Sequence, residues 1–287
     1  MEKMTFREEE IAFLVELVRR RSGIVLDPGA DYLLDSRLSP LMEQQSIAGP
    51  AELVRRLRAP AGEGLASKVV ERMVTHETRF FRDVAPFDAL ARRILPALAA
   101  AEADRGPTIR IWSAACATGQ EAYSLAIAAA EAAPRLGGSR VEILATDLSG
   151  AAIARAREGL FSQLEVNRGL APERIARHFA REGRHWRASQ ELRERITFSV
   201  HNLVLDAPPR FRFDVVFCRN VLIYLGLEER ARVLTLLHDR LAPGGYLVLG
   251  AAEAPDAIAD RVRRASEEPG ACCFQRIDGD LPGALAA

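Results

Sequence analysis

Residues able to bind a nucleotide or handle charge gather at a few points of the sequence. The stretch Ile109 to Leu125, I-R-I-W-S-A-A-C-A-T-G-Q-E-A-Y-S-L, joins an alternating apolar run ending at Ala114, a turn of small residues, and an amphipathic helix with Glu121 in its first turn. A strand ending in small residues lets a ligand approach the backbone, and the helix N-terminus beyond it offers unpaired N–H groups and a partial positive charge. That is the chemistry of a nucleotide pocket. A pyrophosphate ligand would want G-x-G-x-x-G, because two phosphates need close backbone approach. Here the turn reads A-A-C-A-T-G with only Gly119, which argues against a pyrophosphate and leaves S-adenosylmethionine, whose ribose and zwitterionic methionine end carry no phosphate. Asp147, at the end of a second apolar run, is placed to accept ribose hydroxyls. An acid there serves nicotinamide and adenosylmethionine pockets alike.

Further polar residues close other runs: His201-Asn202-Leu203 after Ile196 to Val200, and Arg219-Asn220 after Phe213 to Cys218. A connector, M-V-T-H-E-T-R-F-F-R-D from Met73 to Asp83, gathers Thr75, His76, Thr78, Arg79 and Arg82 beside Phe80 and Phe81. The phenylalanines read as core residues at a domain junction. The polar set, gathered in a connector rather than on a solvated helix, reads as functional.

The elements that must position these residues follow from periodicity. Arg7 to Arg21 carries Ile11, Phe13, Leu14, Leu17 and Val18 at helical spacing, and Ser22-Gly23 stops it. After a turn at Asp27-Pro28-Gly29, a second helix spans Leu33 to Met42, and shorter ones cover Ala51 to Leu57 and Leu65 to Val74. An all-helical domain is therefore expected over residues 1–80. Pro86 to Ala101 is again helical, and from Ile109 strands and helices alternate: strands at 109–114, 141–146, 196–200, 213–218, 246–249 and 272–277, helices at 120–132, 149–157 and 227–241, and a turn at Ala242 to Gly245. Between them, Leu160 to Arg195 is less regular, with a short helix at Pro172 to Phe179 and a hairpin near Arg184 to Ala188. The tail after Ile277 is expected to fray. Alternation means βαβ units, an α/β class and a mostly parallel sheet, whose ligands sit beyond the carboxyl ends of the strands at the switch point.

Composition excludes several alternatives. At 287 residues and 48% hydrophobic content, the chain can bury one or two cores. Thirty-nine basic residues balance 39 acidic ones, so nothing global points to nucleic acid or an anionic membrane. Only Lys3 and Lys68 are lysines, and the arginines cluster at Arg19-Arg20-Arg21 and Arg55-Arg56-x-Arg58, as a solvated face or a docking patch for an acidic partner. No apolar run approaches a membrane span or a signal peptide, so a cytoplasmic protein without membrane insertion is expected. Cys116, Cys218, Cys272 and Cys273 lack zinc spacing, and neither a metal site nor a disulfide is expected.

T-H-E-T-R-F-F-R-D, I-W-S-A-A-C-A-T-G-Q-E-A-Y-S-L-A, A-T-D-L-S, H-N-L and F-D-V-V-F-C-R-N-V-L-I-Y, in this order, resemble the CheR family of chemotaxis receptor glutamate O-methyltransferases. The resemblance covers nearly the whole chain. It implies a Rossmann-like S-adenosylmethionine-dependent methyltransferase domain over 81–287 with a small β-subdomain at 160–195, preceded by the helical domain as receptor contact. It also implies methyl transfer to glutamates in the cytoplasmic methylation region of a chemoreceptor, at membrane receptor arrays. The residues it assigns to the cofactor are His76, Thr78, Arg82, Ala114, Glu121, Asp147, Asn202, Leu203, Arg219 and Asn220. Thr78 and Arg82 reach it from the connector, Glu121 and Asp147 hold its methionine–ribose side, and Asn202 with Leu203 frames adenine. Arg82 and Tyr224 are the candidate catalytic residues, orienting the acceptor carboxylate. His76 stands where several members have Asn, which replaces a fixed donor–acceptor pair with a tautomer-dependent one. Members that grip a receptor's C-terminal tail resemble one another in a glycine-rich hairpin extension. The turn Arg181 to Trp186 is short, so no tight binding of that pentapeptide is expected. With no long apolar seam left over, a monomer is expected.

Overall fold

The computed structural model describes residues 6–26, 29, 31–101, 107–265 and 270–277. Asp27 and Pro28 of the expected turn, and the tail beyond residue 277, lie outside the described residues. The chain divides into two compact units, one comprising the residues up to Thr75 with Asn202–Asp206 and Tyr224–Arg230, the other His76–His201, Ala207–Ile223 and the residues from Ala231 onward.

In the first unit, helices α1 (Glu8–Ser22), α2 (Asp31–Gln44), α3 (Pro50–Arg58) and α4 (Glu63–Met73) close around one apolar core. Glu10 fixes the start of α1, accepting the Arg7 backbone N–H at 2.9 Å and its guanidinium at 2.6 Å. The helical stripe then buries Leu14, Leu17 and Val18 against Leu34, Leu38, Leu41 and Met42 of α2 and Leu53, Val69 and Met73 of α3 and α4. Arg37 of α2 donates to the Met73 carbonyl at 2.7 Å and to the Thr75 hydroxyl at 3.2 Å, satisfying carbonyls at the end of α4.

The second unit opens with α5 (Ala85–Ala89), a π-turn (Leu90–Ile94) and α6 (Leu95–Ala100) where one continuous helix was expected. Pro96 explains the break: it has no N–H for an i→i−4 bond, and the ladder slips to i→i−5 spacing just before it. Then follow β1 (Thr108–Ala114), α7 (Gln120–Ala132), β2 (Arg140–Asp147), α8 (Gly150–Glu158), β3 (Leu160–Ser162), α9 (Gln163–Asn167), α10 (Pro172–His178), β4 (Phe179–Glu182), β5 (His185–Ala188), α11 (Gln190–Glu194), β6 (Ile196–Val200), β7 (Phe213–Cys218), α12 (Leu227–Arg240), β8 (Leu241–Leu249), β9 (Val262–Arg264) and β10 (Cys273–Arg276).

The large sheet has the order β6-β2-β1-β7-β8-β10-β9. Its first five strands run parallel, while β10 is antiparallel to both β8 and β9. The chain steps outward from β1 to β2 and β6, then returns to place β7 on the other side of β1. That reversal puts the switch point beyond the ends of β1 and β7. One expectation needs correction. Ala242 to Gly245 is not a turn ahead of a strand beginning at Tyr246: β8 starts at Leu241, pairs with Phe213, and absorbs these residues as an irregularity before Tyr246 pairs with Val215.

A second sheet, β3-β5-β4, is wholly antiparallel and occupies the irregular stretch. It shares the core through Phe80, whose ring meets Phe161 and Phe179 edge to face at 4.9 and 5.7 Å between centroids. Gly169 (φ 117°) faces the Phe80 carbonyl so closely that a Cβ there would lie 1.9 Å from its oxygen. Gly169→Ala must therefore move backbone on both sides and adopt a φ that alanine disfavours; a loss of more than about 2 kcal/mol is expected, measurable by urea unfolding.

Candidate active site

Beyond β1 the chain turns through Ala115, Ala117 and Gly119 at φ of 64°, 49° and 96°, all left-handed. For the alanines this costs roughly 1–2 kcal/mol each, held by bonds from the neighbouring strand. Cys116 N–H donates to the Thr146 carbonyl at 2.8 Å, and Ala117 N–H to Asp147 Oδ2 at 2.9 Å. The other Asp147 oxygen accepts from Ser149 N–H at 2.9 Å, at the start of α8. Asp147 is buried, and His76 Nε2 stands 3.8 Å from its Oδ1.

Next to this acid, Glu121 in the first turn of α7 accepts from the Ser113 hydroxyl at 2.8 Å and from Arg219 Nη1 at 3.3 Å. Arg219 follows β7 and is buried. Its Nη2 donates to Asp83 Oδ2 at 2.8 Å and to the Arg82 carbonyl at 2.9 Å, and its guanidinium lies 5.5 Å from the Phe87 ring centre. One guanidinium thus ties the connector to the first turn of α7. A second tie runs from Phe81 N–H to Ser124 Oγ at 2.9 Å, whose hydroxyl donates to the Gln120 carbonyl at 2.7 Å. Phe81 and Asp83 themselves are left-handed at φ 46° and 64°, so these bonds hold a strained segment. Arg82 donates to the Glu77 carbonyl at 3.2 Å, and Thr78 is half-buried. Burial pushes the Glu121 carboxyl up from its ordinary value of 4.5, while Arg219 and Ser113 oppose that rise.

Within the second unit, then, the structure brings together His76, Asp147 and the turn after Ala114, and joins Glu121, Arg219 and the Arg82 backbone in one hydrogen-bonded chain. Asn220 follows Arg219 at φ 59°, with Oδ1 buried and without a hydrogen-bond partner, as is His76 Nε2. Asn202, Leu203 and Tyr224 belong to the first unit. There the Asn202 amide donates to the Arg21 carbonyl at 2.6 Å and accepts from Val204 and Leu205 N–H at 2.9 and 3.3 Å. The side chain expected to frame adenine is thus engaged by three backbone groups of its own unit. Tyr224 takes the Val25 N–H on its carbonyl at 2.9 Å and is 42% exposed.

Sequence reasoning missed Asp83, Ser113 and Glu253, whose carboxylate accepts the N–H groups of Asn220, Val221 and Leu222. Asp83 was within reach, because it ends the motif that contains Arg82. Glu253 sits in the unremarkable A-A-E-A-P-D and carried no signal. The arginine clusters of the first unit are largely paired: Arg19 with Glu16, Arg21 with Glu63, Arg55 and Arg56 with Glu52, and Arg58 over the Phe13 ring, while Arg20 is exposed.

These residues suit S-adenosylmethionine on structural grounds. The turn keeps its alanine Cβ atoms, which leaves no glycine cradle for a diphosphate. His76 Nε2 and Asn220 Oδ1 are buried polar atoms without a hydrogen-bond partner, as a site for a polar ligand requires. Among the described residues no cluster of His, Cys, Asp and Glu could hold a metal ion, and no helix is long and apolar enough to cross a membrane.

Sheet order, switch point and glycine-poor turn define a Rossmann-like S-adenosylmethionine-dependent methyltransferase. The family model "CheR methyltransferase, SAM binding domain" matches residues 76–269, and "CheR methyltransferase, all-alpha domain" matches residues 9–74. Chemotaxis protein methyltransferase 1 of Pseudomonas aeruginosa is 43% identical over 88% of this chain and 93% of its own length. Chemotaxis protein methyltransferase Cher2 of Pseudomonas putida is 39% identical over the same shares, and the chemotaxis protein methyltransferase of Vibrio parahaemolyticus is 36% identical over 94% and 98%. The chain belongs to the CheR methyltransferase family.

The Glu121 environment has a pH consequence. A carboxyl whose folded pKa is raised binds its proton more readily in the folded state, so its contribution to stability is present below the unfolded value and lost as pH rises through the folded one. The difference in unfolding free energy between the wild type and Glu121→Gln is expected to fall as pH rises above about 4.5, and urea titrations at stepped pH check it.

Proposed function

We propose that this methyltransferase esterifies glutamate side chains in the cytoplasmic methylation region of a chemoreceptor, at membrane receptor arrays. The observation that carries the reading is the buried Arg219 fork, which fixes the backbone of Arg82 beside Glu121 and ties the connector to the cofactor turn. The names of the relatives support the choice of acceptor.

When bound, S-adenosylmethionine supplies a methyl group on a positively charged sulfur. Within the second unit, Asp147 and Glu121 would hold its ribose and methionine side, with His76, Thr78, Arg82, Ala114, Arg219 and Asn220 around it. An acceptor glutamate, with an ordinary pKa of about 4.3, is already ionised at neutral pH, so no residue need take a proton from it. What remains is alignment and exclusion of water, and positioning of this kind contributes roughly 7–11 kcal/mol. Charge is lost during the transfer, so a carboxylate held too strongly in the ground state would react more slowly. We assign that orienting role to Arg82 and to Tyr224, which is 42% exposed.

Docking falls to the helical unit. Its arginines pair with glutamates on exposed faces, where such pairs contribute only about 0–1 kcal/mol, so an acidic receptor segment can replace those partners at little cost. The β4–β5 hairpin turns tightly at Gly183, which supports a receptor contact made without gripping a C-terminal tail.

Incubation with radiolabelled S-adenosylmethionine and receptor-containing membranes is expected to place base-labile label on a receptor-sized band. Label on RNA or small molecules, or none with cofactor bound, would overturn the assignment. Arg82→Ala and Tyr224→Phe are each expected to lower that labelling at least about tenfold, roughly 1.4 kcal/mol in the barrier, with cofactor affinity little changed for Tyr224→Phe. Titration calorimetry with a receptor-tail pentapeptide is expected to show no micromolar binding.

A further inference from the structure

Glu253, four residues past β8, is 8% exposed and accepts four backbone hydrogen bonds. Its Oε2 takes Asn220 N–H at 2.9 Å and Gly250 N–H at 2.7 Å, and its Oε1 takes Val221 and Leu222 N–H at 2.8 Å each. Three successive N–H groups converging on one carboxylate form a concave anion-binding turn, here filled by the protein's own acid. Glycine at 250 is what permits the approach: a Cβ there would lie 2.7 Å from Glu253 Oε2 and 2.9 Å from both the backbone and side-chain nitrogens of Asn220. The turn holds Asn220 at φ 59°, a conformation asparagine tolerates better than most residues. Nothing in Glu253's geometry suggests contact with a reactant, because its lone pairs face backbone.

We propose that Glu253 is a positioning residue of the methyltransferase. By fixing the Asn220–Leu222 turn, it aims the partnerless Asn220 Oδ1 at a hydrogen-bond donor of S-adenosylmethionine, so that cofactor affinity depends on a carboxylate that does not touch the cofactor. The inference rests on the reading that Asn220 lines the cofactor site.

Glu253→Gln keeps the shape but sets an NH2 against two N–H donors, and Asn220→Gly removes the amide without straining the left-handed backbone. Calorimetry with S-adenosylhomocysteine at 25 °C is expected to show Kd raised about tenfold by each change, and by the double variant no more than about threefold beyond the worse single, because the two act through one another. A merely structural acid would lower the melting temperature of Glu253→Gln and leave its Kd within about twofold of the wild type; that result, or penalties that multiply to about a hundredfold in the double variant, overturns the proposal. An unchanged Kd in Asn220→Gly overturns it by a different route, through the reading on which it rests. Should Glu253→Gln not fold, Glu253→Asp tests the same turn by keeping the charge while drawing the carboxylate one methylene back from the three N–H groups. A several-fold weaker Kd supports the proposal, and wild-type affinity sinks it.

Discussion

Much of the second unit depends on one buried cation. Arg219 is taken out of water with Glu121 on one side and Asp83 and the Arg82 carbonyl on the other. A buried charge without partners would cost several kcal/mol, so the arrangement is all or nothing: remove one acid and the guanidinium is left short. This has a structural consequence beyond the pair itself. The connector at Phe81 and Asp83 is strained, with only short helical pieces downstream, and stays in place because its backbone is a ligand of a cation anchored at the end of β7. A planar five-donor guanidinium can serve three acceptors at once, where an ammonium on a flexible stem would not hold them in one geometry.

Legibility in the sequence followed the strength of each physical signal. Strands β6 and β7 and helix α7 were read to their exact ends, because runs such as F-D-V-V-F-C, buried on both faces, and a long alanine-rich helix leave little choice. Strands β3 and β9, three residues each, escaped notice: a strand that short makes too few alternations to register, and its existence is decided by partners distant in sequence. The Pro243-Gly244-Gly245 stretch misled because turn residues usually connect elements, whereas here a bulge within β8 absorbs them.

The candidate site shows the same division. Asp147, Glu121 and Arg219 were legible as candidates because each closes a strand or opens a helix, places where an open parallel sheet must display polar groups. Asn202 became a candidate by the same rule, yet its amide anchors the backbone near Arg21, a use that sequence position does not reveal. Glu253 is the converse case. A carboxylate facing inward onto peptide N–H groups has no pattern of spacing to announce it, and only the folded approach of the segments after β7 and β8 gives it a purpose.

The left-handed alanines after β1 bear on how such a pocket can drift. Replacing Ala115 or Ala117 with glycine would relieve backbone strain, and a survey of thermal stability would score the change as an improvement or as neutral. It would also strip methyl groups from the floor of the turn and bring the chain nearer to the glycine-rich cradle that accepts diphosphates. The strain at Ala115 and Ala117 is thus the standing cost of keeping side chains in the turn that follows β1.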